Sequence, residues 1–210
     1  MRRALTLAVV ALAACGEPAA PTRAGGYAFD DPSTGLVFRW PGDRLPVRYF
    51  ADTRGNMGAL VDRALRIWED QFLYGEFRAV RVTDSADADV IVLWADSVPP
   101  DVPPDTGAPV FACNGLTTFS IDSAGTALDQ PVRAEIGINM SQTFTAAQVA
   151  ACVRRVSVHE LGHTLGILQH SSNPTDIMNS GVPVSTPSDQ DRRTVEVLYH
   201  TPPTIAPPPR

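Results

Sequence analysis

Residues 159–170 read His159-Glu160-Leu161-Gly162-His163-Thr164-Leu165-Gly166-Ile167-Leu168-Gln169-His170, and they hold three of the chain's four histidines. No other run of the chain constrains the fold as tightly. Two histidines four residues apart on an α-helix project from one face, close enough to grip one metal ion. Glu160, beside the first, can then reach a water at that metal as its general base. Gly166 offers a place for the helix to stop, so that the chain can turn back and deliver His170 as a third ligand. Three protein ligands with one position left for water make the composition of a catalytic zinc site. The bare His-Glu-x-x-His pattern also occurs by accident on structural helices, as satisfied polar groups. Here a helical environment, the glycine and the further histidine all argue for the metal.

The ends of the chain suggest where such a site would work. Met1-Arg2-Arg3, an apolar stretch too short to span a bilayer and the small residues before Cys15 predict a secretory signal peptide over 1–14. Leu12-Ala13-Ala14-Cys15 resembles the lipobox of bacterial lipoproteins. Cys15 is therefore expected to carry a lipid, anchoring an exported protein at the cell envelope, periplasmic or surface-facing. The alternative is an ordinary signal peptide cleaved near a cysteine. Lipidation leaves Cys113 and Cys152, which in an exported protein are expected to form a disulfide; two buried thiols that never meet are the alternative. The formal charge is −6, and every basic residue is arginine. That acidic balance excludes nucleic acid as a partner and leaves membrane attachment to the lipid.

Residues 15–34, rich in Ala, Pro, Gly and Thr, read as a flexible tether. One domain is expected over 35–200, followed by a proline-rich tail at 201–210. Strand patterns fall at 45–50, 77–83, 88–94, 116–121 and 133–139. Apolar residues at helical spacing (Leu60, Val61, Ala64, Leu65, Trp68, Phe72) predict a helix over 57–73. Trp68 and Phe72 at this spacing are expected in the core. The Pro- and Asp-dense segment 96–109 reads as a surface loop without a recognisable calcium cage. A long helix is predicted over 145–166, opened by a Thr145/Gln148 capping box and carrying His159 and His163. A last helix spans 188–199, with Thr186 as its expected N-cap and Pro187 in its first turn.

His159 through His170, with Asp176-Ile177-Met178-Asn179 beyond it, resembles the metzincin clan of zinc endopeptidases, and its matrixin-like members most closely. Gly166, His170 and Met178 match the clan's glycine, third ligand and methionine turn. Asn179 stands where some metzincin families soon place a tyrosine, which favours the matrixin side. The resemblance covers about 36–199 but is specific only from Val156 to Met178. It implies an α+β fold: a mixed, twisted sheet of four to five strands, an active-site helix, a methionine turn and a C-terminal helix. It further implies Zn²⁺ held by His159, His163 and His170, with Glu160 as general base and Met178 packed beneath. A monomer is expected, acting on a protein or peptide laid along an edge strand, for which 116–121 is the best candidate, with 180–186 lining the pocket after the scissile bond. No cysteine lies in 16–33 to block the metal, so no inhibitory pro-segment is expected.

One departure stands out. The usual spacing places the third ligand at Gln169, and His170 comes one residue late. An amide is a poor zinc ligand beside imidazole, so a one-residue loop extension that brings in His170 is expected; a two-histidine site completed by an aspartate such as Asp176 is the alternative. Two other functions compete with the endopeptidase: an inactive lipoprotein of this fold that binds peptides or proteins, and a hydrolase of non-peptide amides. Glu160 argues against the first, since a binding module needs no base.

Overall fold

The computed structural model describes residues 26–95, 112–139 and 143–208. The signal sequence, Cys15 with its expected lipid, and the loop at 96–109 lie outside the described residues. Among the described residues, five strands and three α-helices follow in the expected order: β1 (Val47–Ala51), α1 (Met57–Glu69), β2 (Ala79–Val82), β3 (Val90–Ala95), β4 (Cys113–Thr118), β5 (Val132–Ile138), α2 (Ala146–Thr164) and α3 (Asp189–His200). They form one α+β unit around a single mixed sheet of order β2-β1-β3-β5-β4. β2, β1, β3 and β5 run parallel, while β4 closes the sheet antiparallel to β5. Among the described residues no helix is long and apolar enough to cross a membrane.

The strand patterns follow from position. β1 alternates, burying Val47, Tyr49 and Ala51. β3 lies between two parallel neighbours, so Val90, Ile91 and Val92 are buried in succession. α1 crosses β1, β2 and β3, α2 crosses β5 and β4, and the two helices pack on each other. α1 turns Leu60, Val61, Ala64, Leu65 and Trp68 into that layer, where Trp68 is core, as its spacing predicts. α2 opens on the Thr145/Gln148 capping box, with both reciprocal bonds made.

Two buried tryptophans fasten the C-terminal half of α2. Trp68 Nε1 donates to Val158 O at 2.7 Å, and Trp40 Nε1 donates to Thr164 O at 2.9 Å. Buried indole nitrogens need partners, and these sit at either end of the His159–His163 turn.

Several boundaries differ from the sequence-based expectation. α1 stops at Glu69 rather than 73, leaving Leu73 and Tyr74 exposed, because the following residues form tighter turns back to Trp68 and Glu69. β4 begins and ends three residues earlier than expected; Cys113 pairs with Ile138 and Thr118 with Arg133 before the chain leaves the sheet. The N-cap of α3 is Ser188, not Thr186: its Oγ accepts from Gln190 N and Asp191 N, and the Asp191 carboxylate answers by accepting from Ser188 N. The folded body also reaches past both expected limits. Tyr27 and Phe29 pack on the core, and Ile205 is buried and bridged to Phe38, so parts of the expected tether and tail are built in.

Cys113 and Cys152 are joined in a disulfide, the first of the two alternatives, with Cα atoms 5.9 Å apart. It ties the start of edge strand β4 to α2 and closes a loop spanning a sequence separation of 39. A Cys113→Ala/Cys152→Ala double variant should lose roughly 2–4 kcal/mol of stability in urea unfolding. Stability equal to the oxidised parent would show that packing alone fixes β4 on α2.

Candidate metal centre

α2 presents His159 and His163 from one face, and their Nε2 atoms lie 3.1 Å apart. His170 arrives from the loop beyond the helix, with its Nε2 3.2 Å from that of His159 and 3.3 Å from that of His163. Four donors around a tetrahedral zinc at about 2.0–2.1 Å stand roughly 3.3–3.4 Å from one another, so the three positions fit such an ion closely. The outer ring nitrogens support the same conclusion. His159 Nδ1 lies 2.7 Å from Ile177 O, and His163 Nδ1 lies 2.5 Å from Ile167 O. A carbonyl only accepts, so each Nδ1 carries the proton and each Nε2 turns a lone pair inward. The three histidines could hold a metal ion.

The loop behind His170 shows how the one-residue departure in spacing is accommodated. Gly166 adopts φ +111°, and a Cβ there would meet Phe38 O, so only glycine fits the turn out of α2. Gln169, in the register where the usual spacing puts a ligand, points elsewhere: its Nε2 donates to Asp30 O at 2.8 Å. His170 is thereby the residue that faces the other two imidazoles. Asp176, the alternative third ligand, is fully buried away from them and accepts hydrogen bonds from Ser171 Oγ and Ser188 Oγ. Met178 is buried, and its Sδ sits against the space a Cβ on Gly162, between the two helical histidines, would fill. The small residue inside the motif is what admits this packing.

Glu160 is 4% exposed, and its carboxylate belongs to the same cleft. Thr117 Oγ1 of β4 donates to Glu160 Oε2 at 2.7 Å. A Cβ on Gly115 would collide with the Glu160 side chain, so glycine in the edge strand leaves that carboxylate its place. Beside Glu160, His163 and His170 opens a cavity of ≈ 320 Å³ whose apolar wall includes Phe38, Phe119, Leu168 and Ile205. The profile of the matrixin family matches residues 49–200 of this chain. The chain is a matrixin. It is 30% identical over 156 residues, 68% of its own length, to human Matrix metalloproteinase-15, and the aligned region spans 21% of that relative.

In this matrixin, burial pushes the His159 imidazole down from 6.5 to about 4, against the Ile177 carbonyl, which favours the charged ring. Burial likewise holds His163 well below the ordinary range, helped by the neighbouring His159 and His170 rings. Both are therefore neutral at pH 7, the form a metal needs.

The residues that hold Glu160 and the methionine turn in place are less visible in sequence. Gly115 inside a strand is a known mark of close approach, whereas nothing about Thr117 announces its bond to Glu160. Asp191, 0% exposed, accepts from Ile177 N at 2.8 Å and from Ser188 N at 2.8 Å, and so joins the methionine turn to the start of α3. Its place three residues after Ser188 is a capping-box spacing that would have pointed to it.

Acid should act on the metal-free protein through these rings. Unfolded histidines titrate near 6.5 and folded His159 near 4, so between those values the unfolded chain binds more protons. The stability these groups contribute is complete above the higher value and is lost as pH falls toward the lower. The urea midpoint of the metal-free protein should drop between about pH 7.5 and about pH 5.5, where carboxylates hardly titrate. An unchanged midpoint would contradict the neutral assignment.

Proposed function

We propose that this matrixin is a zinc-dependent endopeptidase. The observation that carries the proposal is the Glu160 carboxylate, bonded by Thr117 from the edge strand, in one cleft with His163 and His170, whose ring nitrogens converge with that of His159. His159, His163 and His170 would hold the ion as neutral imidazole ligands. Zinc held there supplies Lewis acidity, both to the attacking water and to the peptide carbonyl oxygen.

Glu160 supplies the proton traffic. Its carboxylate takes a proton from water as the oxygen attacks the carbonyl carbon, and then passes that proton to the amine as the C–N bond breaks. The products are a carboxylate and a free amine, so one water is consumed and no other reactant is needed. Thr117 donates to the oxygen Oε2 and fixes the carboxylate's rotamer. The substrate segment would lie extended against β4, the terminal strand of the sheet among the described residues, and add itself by backbone hydrogen bonds. The cavity walled by Phe38, Phe119 and Leu168 would take an apolar side chain of that segment, while residues 180–186 would line the pocket after the scissile bond.

The proposal extends to setting. The protein would act as a monomer at a bacterial cell envelope through a lipid on Cys15, a reading supported by the sequence Leu12-Ala13-Ala14-Cys15.

Oxidised, zinc-loaded protein tests the roles directly. Glu160→Ala should retain zinc and lose cleavage of an unfolded protein substrate by at least about 100-fold. His170→Ala should instead lose much of its zinc. Cleavage by Glu160→Ala at the parent rate would sink the mechanism.

A further inference from the structure

His170 is exposed and lies on a loop, so packing does not fix its direction. Its neighbours do. Leu168 N donates to Phe29 O at 2.8 Å, and Gln169 Nε2 donates to Asp30 O at 2.8 Å and to Asp30 Oδ1 at 3.2 Å. Two consecutive residues of the loop are thus tied to two consecutive residues of a segment about 140 positions earlier in sequence. On the other side, Ser171 N donates to Met178 O at 2.9 Å and Asn179 Nδ2 donates to Ser171 O at 2.9 Å. His170 is a single residue held between two anchored points.

The early segment is itself fastened at its far end. Gln190 Nε2 donates to Gly26 O at 2.8 Å, Gly26 N and Tyr27 N both donate to Thr194 Oγ1 at 3.2 Å, and Tyr27 Oη donates to Asp191 Oδ1 at 2.6 Å. Asp191 is the same buried carboxylate that accepts from Ile177 N, and Ile177 O accepts from His159 Nδ1. One bonded path therefore connects the residue that aims His170 with the residue that aims His159.

We propose that residues 26–30 form a strap that positions His170, and that Gln169 is the positioning residue through which the strap acts. Gln169 occupies the register where a ligand would ordinarily fall. Drawing its side chain out to Asp30 rotates the loop and presents the next residue inward, so the extra residue becomes usable. The proposal rests on the reading of His170 as a metal ligand.

The test uses the full chain, zinc affinity measured by chelator competition, and the visible absorption spectrum of the cobalt-substituted protein. Gln169→Leu keeps the side chain's bulk and removes the donor. It should weaken zinc about 10-fold and move the cobalt spectrum toward that of His170→Ala, with the thermal midpoint of the metal-free protein unchanged. In a His170→Ala background the same substitution should cost nothing further, since no ligand is left to position. Tyr27→Phe, at the far end of the strap and bonded through its hydroxyl to Asp191, should give the same spectral change in smaller measure, and it keeps the test decisive if Gln169→Leu folds poorly. Parent-like zinc affinity and spectra in both variants would overturn the strap while leaving the three-histidine site standing. So would equal zinc losses from Gln169→Leu with and without His170. If His170→Ala itself binds zinc and cobalt like the parent, the three-histidine reading fails and the strap fails with it.

Discussion

Three imidazole nitrogens directed at one point, with two of the lone pairs assigned by the carbonyls behind them, repel one another unless a cation lies between. Protonation of His159 or His163 does not relieve the crowding near neutral pH, because burial holds both rings in the neutral form. The surrounding structure therefore has to keep the rings in place, and much of it is arranged to do so. Ile177 O and Ile167 O fix two rings from behind. Trp68 and Trp40 hold the helical turn between Val158 and Thr164. Asp191 gathers the methionine turn, the start of α3 and Tyr27 onto one buried carboxylate.

The second half of the site is a matter of apposition. Among the described residues β4 is an edge strand of the sheet, and it passes close over Glu160, where a Cβ at residue 115 would collide with the glutamate side chain. Thr117 then meets the carboxylate from the strand side, and the Cys113–Cys152 disulfide pins the same strand to the same helix farther along. Glu160, the three imidazoles and the edge strand are thus parts of one cross-linked joint. A peptide added to that edge would lie across Glu160 without any large rearrangement of the protein.

What could be foreseen from sequence follows the range of the forces involved. His159, Glu160 and His163 are legible because helix periodicity alone places them together. The strand and helix order was legible for the same local reason, down to the capping box at Thr145. His170 was legible as chemistry but not as geometry, since its direction is set by Phe29 and Asp30, far away in the chain. The limits of β4 were obscured because Asn114-Gly115-Leu116-Thr117-Thr118 lacks apolar alternation, its inner contacts being with Glu160 rather than with a hydrophobic layer. The ordered ends were hidden by composition: Tyr27, Phe29 and Ile205 are the few large apolar residues in stretches rich in Pro, Gly and Ala, and it is α3, the core and Phe38 that give them partners.

The central claim concerns the identity of the donors. Zinc K-edge X-ray absorption on the zinc-loaded parent protein counts imidazole ligands through their multiple scattering, independently of any activity. Three imidazoles per zinc with one further light-atom ligand is the expected result, falling to two in His170→Ala. Two imidazoles and a carboxylate in the parent, unchanged by His170→Ala, would contradict it.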